Sequence, residues 1–181
     1  MKATGVVRRI DNLGRIVIPK EIRRTLRIRE GDPLEIFTNR DGEVMLKKYS
    51  PIGELSTFAQ TYTDSIAQSM GITAVVCDRD QVIAASGQDK KVLQGQNINR
   101  DLEKMIEERK NILARKGEKD YVDVINQHLD FAAQAASTII CEGDAIGAVV
   151  LLDSENNSKF SENELKMVTV AADFLGRQME S

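Results

Sequence analysis

Arginine side chains cluster near the amino terminus of this chain, with five of them between residues 8 and 24 and only Asp11 and Glu21 as acids among them. A guanidinium group stays charged at physiological pH, and its planar fork of donors matches phosphate oxygens or the O6 and N7 atoms of guanine. This density of positive charge predicts a surface that binds double-stranded DNA. The five residues are Arg8, Arg9, Arg15, Arg23 and Arg24.

A solvated basic face is the alternative interpretation, in which Glu21, Glu30 and Asp32 hold these arginines in surface ion pairs. The distribution of charge favours DNA binding. Residues 1–50 carry a net charge of +5 and the remainder −8, within a chain whose total is −3. Such an asymmetry is typical of a basic module that meets a polyanion, joined to an acidic module with another task.

Two cysteines and one histidine are the other candidates for chemistry. Cys77 and Cys141 lie in apolar runs without CxxC spacing, with Arg79 as the one basic neighbour, so structural thiols are favoured over a redox pair. His128 has no cysteine or carboxylate cluster at ligand spacing, so we expect no metal site. Motifs for nucleotide hydrolysis, acyl transfer or metalloproteolysis are absent, and we predict neither enzymatic activity nor a cofactor.

The sequence carries no signal for a membrane or for export. No run approaches the roughly 20 apolar residues of a membrane span, and the first residues contain no apolar segment typical of a signal peptide. Two cysteines cannot form a disulfide framework. These features predict a protein of the reducing cytoplasm.

The first fifty residues are predicted to form short strands and one small helix. Runs rich in β-branched residues at 5–10 and 15–19 flank a turn, and a helix follows Pro19. Asp41-Gly42 between two alternating runs predicts a β-hairpin. No pair of long helices occurs, so a helix-turn-helix is not expected. The short helix implies that few side chains reach base edges, and that site selection depends in part on DNA shape.

A domain of about fifty residues without disulfides or a metal has a marginal core. Its first two predicted strands place apolar side chains on both faces, and a lone hairpin would leave one face in water. We therefore expect a homodimer through residues 1–50. The apolar residues are Val6, Val7, Ile10, Ile16, Val17 and Ile18.

Residues 51–181 are predicted to form a second domain, since Pro51 cannot continue the last strand. Ser161 and Glu164 form a capping box and Phe160 with Leu165 a hydrophobic staple, so a helix begins there. The order of elements predicts an α+β domain with helices on one side of a sheet. The predicted helices are 50–70, 99–113 and 161–179, and the predicted strands are 72–78, 82–86, 121–125, 135–142 and 145–153.

The first and last of these helices carry more apolar side chains than one sheet face covers. Val170 and Phe174, for example, lie beside the line formed by Val168, Ala172 and Leu175. Pairing of these helices between chains would cover the surplus. The sequence therefore predicts that two dimers join through the C-terminal helices into a tetramer.

The stretch "TGVVRRIDNLGRIVIPKEIRRTL", followed by "GDPLEIF" and "LKKY", closely resembles the AbrB-type swapped-hairpin DNA-binding domain over residues 1–50. The resemblance implies that two chains interleave their hairpins into one compact dimer. It also implies DNA contact by the residues that match the family's arginines, with weaker candidates beside them for phosphate contact. The matching arginines are Arg8, Arg15, Arg23 and Arg24, and the weaker candidates are Lys2, Arg9, Lys47 and Lys48.

The layout of the whole chain is similar to a family of sporulation regulators that pair an AbrB-type domain with a C-terminal GAF domain. That resemblance implies a transcription regulator, both activator and repressor, associated with the nucleoid of the forespore. Its GAF-like domain would oligomerise and could sense a small molecule of unknown identity. Two alternatives remain open: an antitoxin, since swapped-hairpin domains also occur there, and a thiol reductase, since some GAF-fold proteins reduce methionine sulfoxide.

Overall fold

Residues 5–155 and 160–180 are described by the computed structural model of this protein. The chain divides into two units, of which unit 1 ends at Tyr49 and unit 2 begins at Ser50. The predicted α+β class is confirmed, with a two-stranded sheet in unit 1 and a five-stranded sheet in unit 2.

Unit 1 contains one helix and one regular hairpin. Helix α1 spans Lys20–Thr25, strand β1 spans Leu34–Thr38 and strand β2 spans Val44–Lys48. The strands pair antiparallel from Leu34↔Lys48 to Thr38↔Val44, which confirms the predicted hairpin. The Asn39 side-chain oxygen accepts hydrogen bonds from the N–H groups of Asp41 (3.1 Å) and Glu43 (2.9 Å), and these bonds close the turn.

The strands predicted at 5–10 and 15–19 are not formed in the single chain, so that prediction is wrong for one copy alone. The turn between them does form: the Asp11 N–H donates to the Arg15 carbonyl and the Gly14 N–H to the Asp11 carbonyl, both at 3.1 Å. Beyond the turn the two arms, residues 5–10 and 15–18, have no ladder partner among the described residues. A strand exists only when a second strand satisfies its backbone groups.

Unit 1 also lacks a core of its own. Pro19 is the only one of its described residues that is buried. Val7 is 89% exposed and Val17 73% exposed, and Ile36 and Val44 in the hairpin are each 66% exposed. Burying one such side chain stabilises a fold by about 1.5–3 kcal/mol, and a single copy of unit 1 obtains little of this.

Unit 2 is built on an antiparallel sheet of order β4-β3-β7-β6-β5. Its strands are β3 Thr73–Asp78, β4 Val82–Ser86, β5 Asn111–Arg115, β6 Ala133–Cys141 and β7 Asp144–Asp153. Its helices are α2 Pro51–Glu54, α3 Ser56–Met70, α4 Lys90–Leu93, α5 Arg100–Glu107 and α6 Glu162–Gln178.

Helices cover both faces of this sheet, so the predicted arrangement on one side is wrong. Ala74 and Val76 of β3 share a core cluster with Val168 of α6. Val75 and Cys77 point the other way and share a second cluster with α5. Every residue of β3 is buried, because a strand covered on both faces is a continuous apolar run rather than an alternating one.

Helix α5 is shorter than predicted, and the second half of the predicted helix 99–113 is strand β5. The helix ends in a Schellman motif: Arg109 is left-handed (φ 54°), and the Lys110 N–H donates to the Met105 carbonyl at 3.1 Å. Leu113 therefore lies on a strand opposite Ala135, not on a helix face. The motif normally has glycine at this position, so the charged residues 107–110 did not indicate the end of a helix.

Replacing Arg109 with glycine is expected to raise the free energy of unfolding by about 0.5–1 kcal/mol, because the left-handed conformation is costly for every residue except glycine. Urea denaturation followed by circular dichroism measures the change. Lys104→Gly is the control: Lys104 lies inside α5, where glycine destabilises by about 1 kcal/mol. Destabilisation of similar size by both variants would contradict the prediction.

Residues 121–125 do not form the predicted strand. Only an isolated bridge joins Ile125 to Ile98. The buried side chain of Gln134 holds the segment instead: its amide donates to the Val122 carbonyl at 2.9 Å, and its oxygen accepts from the Val122 N–H at 2.6 Å. A side chain thus replaces the backbone of a neighbouring strand.

The remaining boundaries of unit 2 are close to those expected. The predicted helix 50–70 is interrupted at Leu55, which separates α2 from α3. Helix α6 begins with the predicted capping box, in which the Ser161 N–H donates to Glu164 at 2.6 Å. The β6–β7 turn lies at Glu142-Gly143, both at positive φ, one residue earlier than expected.

Candidate nucleic-acid interface

Among the predicted DNA-binding side chains in the described part of unit 1, the five arginines and Lys47 are exposed, whereas Lys48 is half-buried. Arg8 and Arg9 precede the turn at 11–14 and Arg15 follows it, whereas Arg23 and Arg24 form the last turn of α1. Lys47 lies on β2 opposite Glu35. Lys2 lies outside the described residues.

The carboxylate of Asp11 organises the turn. One oxygen accepts from the N–H groups of Leu13 (2.9 Å) and Arg15 (2.8 Å), and the other accepts from Nε of Arg15 at 2.8 Å. The hydrogen bonds from the Arg15 backbone and side chain, together with that from Leu13, hold the pKa of Asp11 below its usual value. The Arg15 side chain remains 71% exposed, and its two terminal nitrogens have no partner within the described chain.

Helix α1 presents Arg23 and Arg24 at a defined end. Arg27 is left-handed (φ 54°), and the Ile28 N–H donates to the Arg23 carbonyl at 2.7 Å, as in a Schellman motif. The backbone of the last turn is therefore fixed while its side chains stay in solvent. None of the α1 residues is buried, so its other face is also available for contact.

The ion pairs that the alternative interpretation requires are not formed among the residues described. Arg8, Arg9, Arg23 and Arg24 have no acidic partner there. Asp32 pairs instead with Lys48, whose Nζ lies 3.0 Å from its carboxylate. The guanidinium groups are therefore available to a ligand such as a phosphate.

Lys48 has a structural role that the sequence did not indicate. Its ammonium group also donates to the Arg27 carbonyl at 2.9 Å, and so ties the loop after α1 to strand β2. Burial acts to raise the pKa of Asp32, but hydrogen bonds from the Arg29 N–H and from Lys48 outweigh it and lower that pKa. The spacing of 16 residues between Asp32 and Lys48 carries no local signal, because only the hairpin brings them together.

The thiols of unit 2 are poorly suited to redox catalysis. Cys77 is fully buried, and burial raises its pKa to about 12. Burial and the carboxylates of Glu180, Glu142 and Asp144 raise the pKa of Cys141. A reactive cysteine needs a lowered pKa, so both thiols stay protonated at neutral pH.

Neither His128 nor Arg79 completes a catalytic or metal site. The nearest carboxylate oxygen to His128 Nδ1 is that of Asp123, at 3.7 Å. Arg79 pairs with Glu107 at 3.3 Å rather than with the neighbouring thiol. Within residues 5–155 and 160–180 no three histidine, cysteine or carboxylate side chains converge as metal ligands, and no helix there is long and apolar enough to cross a membrane.

The sheet face beneath α5 is packed with the protein's own side chains. The side chains buried there include Leu102, Met105 and Ile106 of α5, together with Phe131 of the loop that precedes β6. The segment before α5 is tied to the sheet edge, since the Gln94 side chain bonds the Ala85 N–H at 2.9 Å and the Ile83 carbonyl at 2.6 Å.

Two family models together match most of the chain. Residues 54–180 match the model described as the stage V sporulation protein T C-terminal domain, a transcription factor. Residues 7–54 match the model described as the antidote-toxin recognition domain MazE, a bacterial antitoxin. The two matches meet close to the division between units 1 and 2.

Known relatives resemble the whole chain or one of its units. The chain is 51% identical to stage V sporulation protein T of Bacillus subtilis (strain 168) over 181 residues, which are 99% of each chain. Over 51 residues it is 59% identical to the transition state regulatory protein AbrB of the same organism, covering 28% of this chain and 52% of AbrB.

The fold of unit 2 is found in solved GAF domains. The second GAF domain of DevS from Mycobacterium smegmatis superposes with a TM-score of 0.54 at 10% identity, covering 69% of this chain and 92% of that one. At this identity the likeness concerns the fold alone, and it confirms the GAF-like architecture predicted for the C-terminal domain.

Proposed function

This chain belongs to the stage V sporulation protein T family of transcription factors, and we propose that it regulates sporulation genes by binding double-stranded DNA through the arginines of unit 1. The observation that carries this proposal is the set of exposed guanidinium groups, unpaired or nearly so, around the turn at 11–14 and at the end of α1. A duplex phosphate is the partner whose charge and geometry such groups fit.

The two alternatives from the sequence are less well supported. The antitoxin model matches only residues 7–54, whereas unit 2 is a folded sheet domain whose family is that of a transcription factor. A thiol reductase is opposed by the raised pKa values of Cys77 and Cys141. These observations favour a regulator without enzymatic activity, and from the family resemblance we propose that it acts on the nucleoid in the cytoplasm of the forespore.

Unit 1 is proposed to act as an interleaved dimer. The arms at 5–10 and 15–18 have apolar side chains and unsatisfied strand edges, and a second copy offers complementary arms of the same composition. Exchanging identical elements between copies is an economical route to such a dimer. The dimer doubles the set of arginines and arranges them about a two-fold axis.

Unit 2 is proposed to join two dimers into a tetramer. An outer strip, formed by Phe58 of α3 with Val170 and Phe174 of α6, remains in solvent although these side chains are large and apolar, with exposures of 42%, 69% and 44%. The rings of Phe58 and Phe174 lie 5.6 Å apart, so the strip is continuous across both helices. A second copy of the same strip is the self-complementary partner that a two-fold assembly requires.

A small-molecule effector is a further role proposed for unit 2. An effector that bound on the sheet face beneath α5 would have to displace side chains such as Phe131 from the core. Binding would then alter the packing of α5 against the sheet. A rise in the melting temperature of unit 2 with one metabolite class and not others would support this role.

Alanine substitution of Arg8, Arg15, Arg23 or Arg24 is expected to weaken specific DNA binding by about 1–3 kcal/mol where the side chain reads a base. Where it contacts only a phosphate, the slope of log affinity against log salt should fall by about one. Fluorescence anisotropy with a labelled duplex, selected by the protein from a random pool and titrated at several salt concentrations, measures both quantities.

The controls for this series are Arg40→Ala and Arg109→Ala, which remove the same charge from exposed positions outside the proposed interface. They are expected to leave both quantities nearly unchanged. Equal small losses in all six variants would mean that general basicity, rather than these side chains, carries the affinity.

A further inference from the structure

An acidic residue stands at the centre of the basic stretch, and its place there calls for a reason. Asp11 subtracts charge from the surface that we assign to DNA, and every carboxylate near a duplex weakens the sequence-independent attraction to phosphates. We propose that Asp11 is a positioning residue that fixes the Arg15 guanidinium and thereby sets how well the protein discriminates between DNA sequences. This inference rests on the proposed DNA-binding function and deepens it.

The geometry assigns the two oxygens of Asp11 separate tasks. Oδ1 accepts from the Leu13 and Arg15 N–H groups and shapes the turn, whereas Oδ2 accepts from Arg15 Nε at 2.8 Å. Using Nε in this way leaves both terminal nitrogens of Arg15 without a partner in the described chain, on a side chain that is 71% exposed. These two nitrogens are the pair that bonds a guanine edge or a phosphate.

Holding the guanidinium before DNA arrives reduces the conformational entropy that binding must remove. This smaller loss of entropy favours binding where the fixed guanidinium of Arg15 meets a matching pair of acceptors. A mobile side chain gains no such preference, because it can reach any nearby phosphate. Asp11 therefore lowers the affinity for DNA of any sequence and raises the preference for the selected sequence. Removing its charge should raise affinity for arbitrary DNA and lower the preference for the selected site.

Asp11→Asn separates the two tasks. The asparagine oxygen can still accept from the Leu13 and Arg15 N–H groups, so the turn is retained. Its amide nitrogen is a donor and cannot accept from Arg15 Nε. Asp41→Asn is the matched control, because Asp41 is an exposed turn residue of the same unit and the charge change is identical, but no arginine is bound to it in the described chain.

The measured quantity is the ratio of dissociation constants for a scrambled duplex and for the duplex selected from a random pool by the unchanged protein. Asp11→Asn should lower this ratio about three- to tenfold, partly through tighter binding of the scrambled duplex. Asp41→Asn should lower it by twofold or less. In an Arg15→Ala background, Asp11→Asn should change the ratio no more than Asp41→Asn does.

Three results would overturn the inference. The first is an unchanged ratio in Asp11→Asn while Arg15→Ala still weakens binding, which leaves the DNA-binding function intact. The second is an equal fall in the ratio with and without Arg15, which assigns Asp11 to the turn alone. The third is failure of the unchanged protein to retain any duplex, which overturns the proposed function as well.

Discussion

Replacing Val170 and Phe174 together with glutamate is expected to reduce the affinity of the full chain for long DNA by about 10²–10⁴-fold. Both side chains belong to the outer strip, and α6 contacts the sheet through other residues, among them Val168, Ala172 and Leu175. Two charges per copy would separate the proposed tetramer into dimers without opening the core. Each dimer then binds DNA once, and the gain from a second contact within the same assembly is lost.

Sedimentation should show a tetramer for the unchanged protein at micromolar concentration and a dimer for the double variant. Thr169→Glu is the matched control, since Thr169 is also an exposed α6 residue but lies on another side of the helix from Val170 and Phe174. Leu165→Glu is a poor choice, because Leu165 packs against the core and its replacement would unfold unit 2. A double variant that stays tetrameric, or an unchanged protein that sediments as a dimer, would contradict the assembly.

Gly147→Ala is expected to lower the free energy of unfolding of unit 2 by about 2–4 kcal/mol. Gly147 pairs with Asp78 across β7 and β3, and a methyl group there would overlap the carbonyl oxygen of Cys77 and the Ile52 side chain. A backbone atom cannot give way without moving a strand in the middle of the sheet. The requirement is for space rather than for an unusual backbone angle.

Chemical denaturation of the full chain, followed by circular dichroism, measures this loss. Thr169→Ala is the control, because Thr169 is an exposed residue of the same unit and its replacement adds no atom to the core. Gly176→Ala tests the same idea at the helix layer, where the methyl would overlap the Ile140 carbonyl and force α6 away from β6. The prediction would be contradicted if the variants at 147 and 176 were as stable as the control. That result would mean that β7 and β3, and α6 and β6, separate at little cost in free energy.

Local signals in the sequence predicted the local features well. The Ser161–Glu164 capping box and the Asp41-Gly42 hairpin form as expected, because each depends on residues within one turn of the chain. The exposure of the arginines was also expected, because a charged guanidinium group is rarely buried without a partner. The GAF-like fold of unit 2 came from a resemblance, since its strands have no distinctive motif.

Features that depend on distant residues were missed. Gln134 replaces a strand partner for Val122, and only the fold brings the two together. Lys48 is committed to Asp32 and to the loop after α1 for the same reason. The strands predicted for the arms have a β-branched composition, but the arms find no backbone partner among the described residues of the chain. The end of α5 at Arg109 used an arginine where glycine is usual.

The described residues of unit 1 form no core in a single copy, so the proposed dimer would make DNA binding depend on the concentration of the chain. If unit 1 folds only as two chains meet, folding and association form one equilibrium. At low abundance the number of DNA-binding bodies then rises with the square of chain concentration, so doubling synthesis raises promoter occupancy about fourfold. In the proposed dimer, the valines and isoleucines exposed on the arms of a single chain would thus convert a gradual rise in gene expression into a sharper threshold.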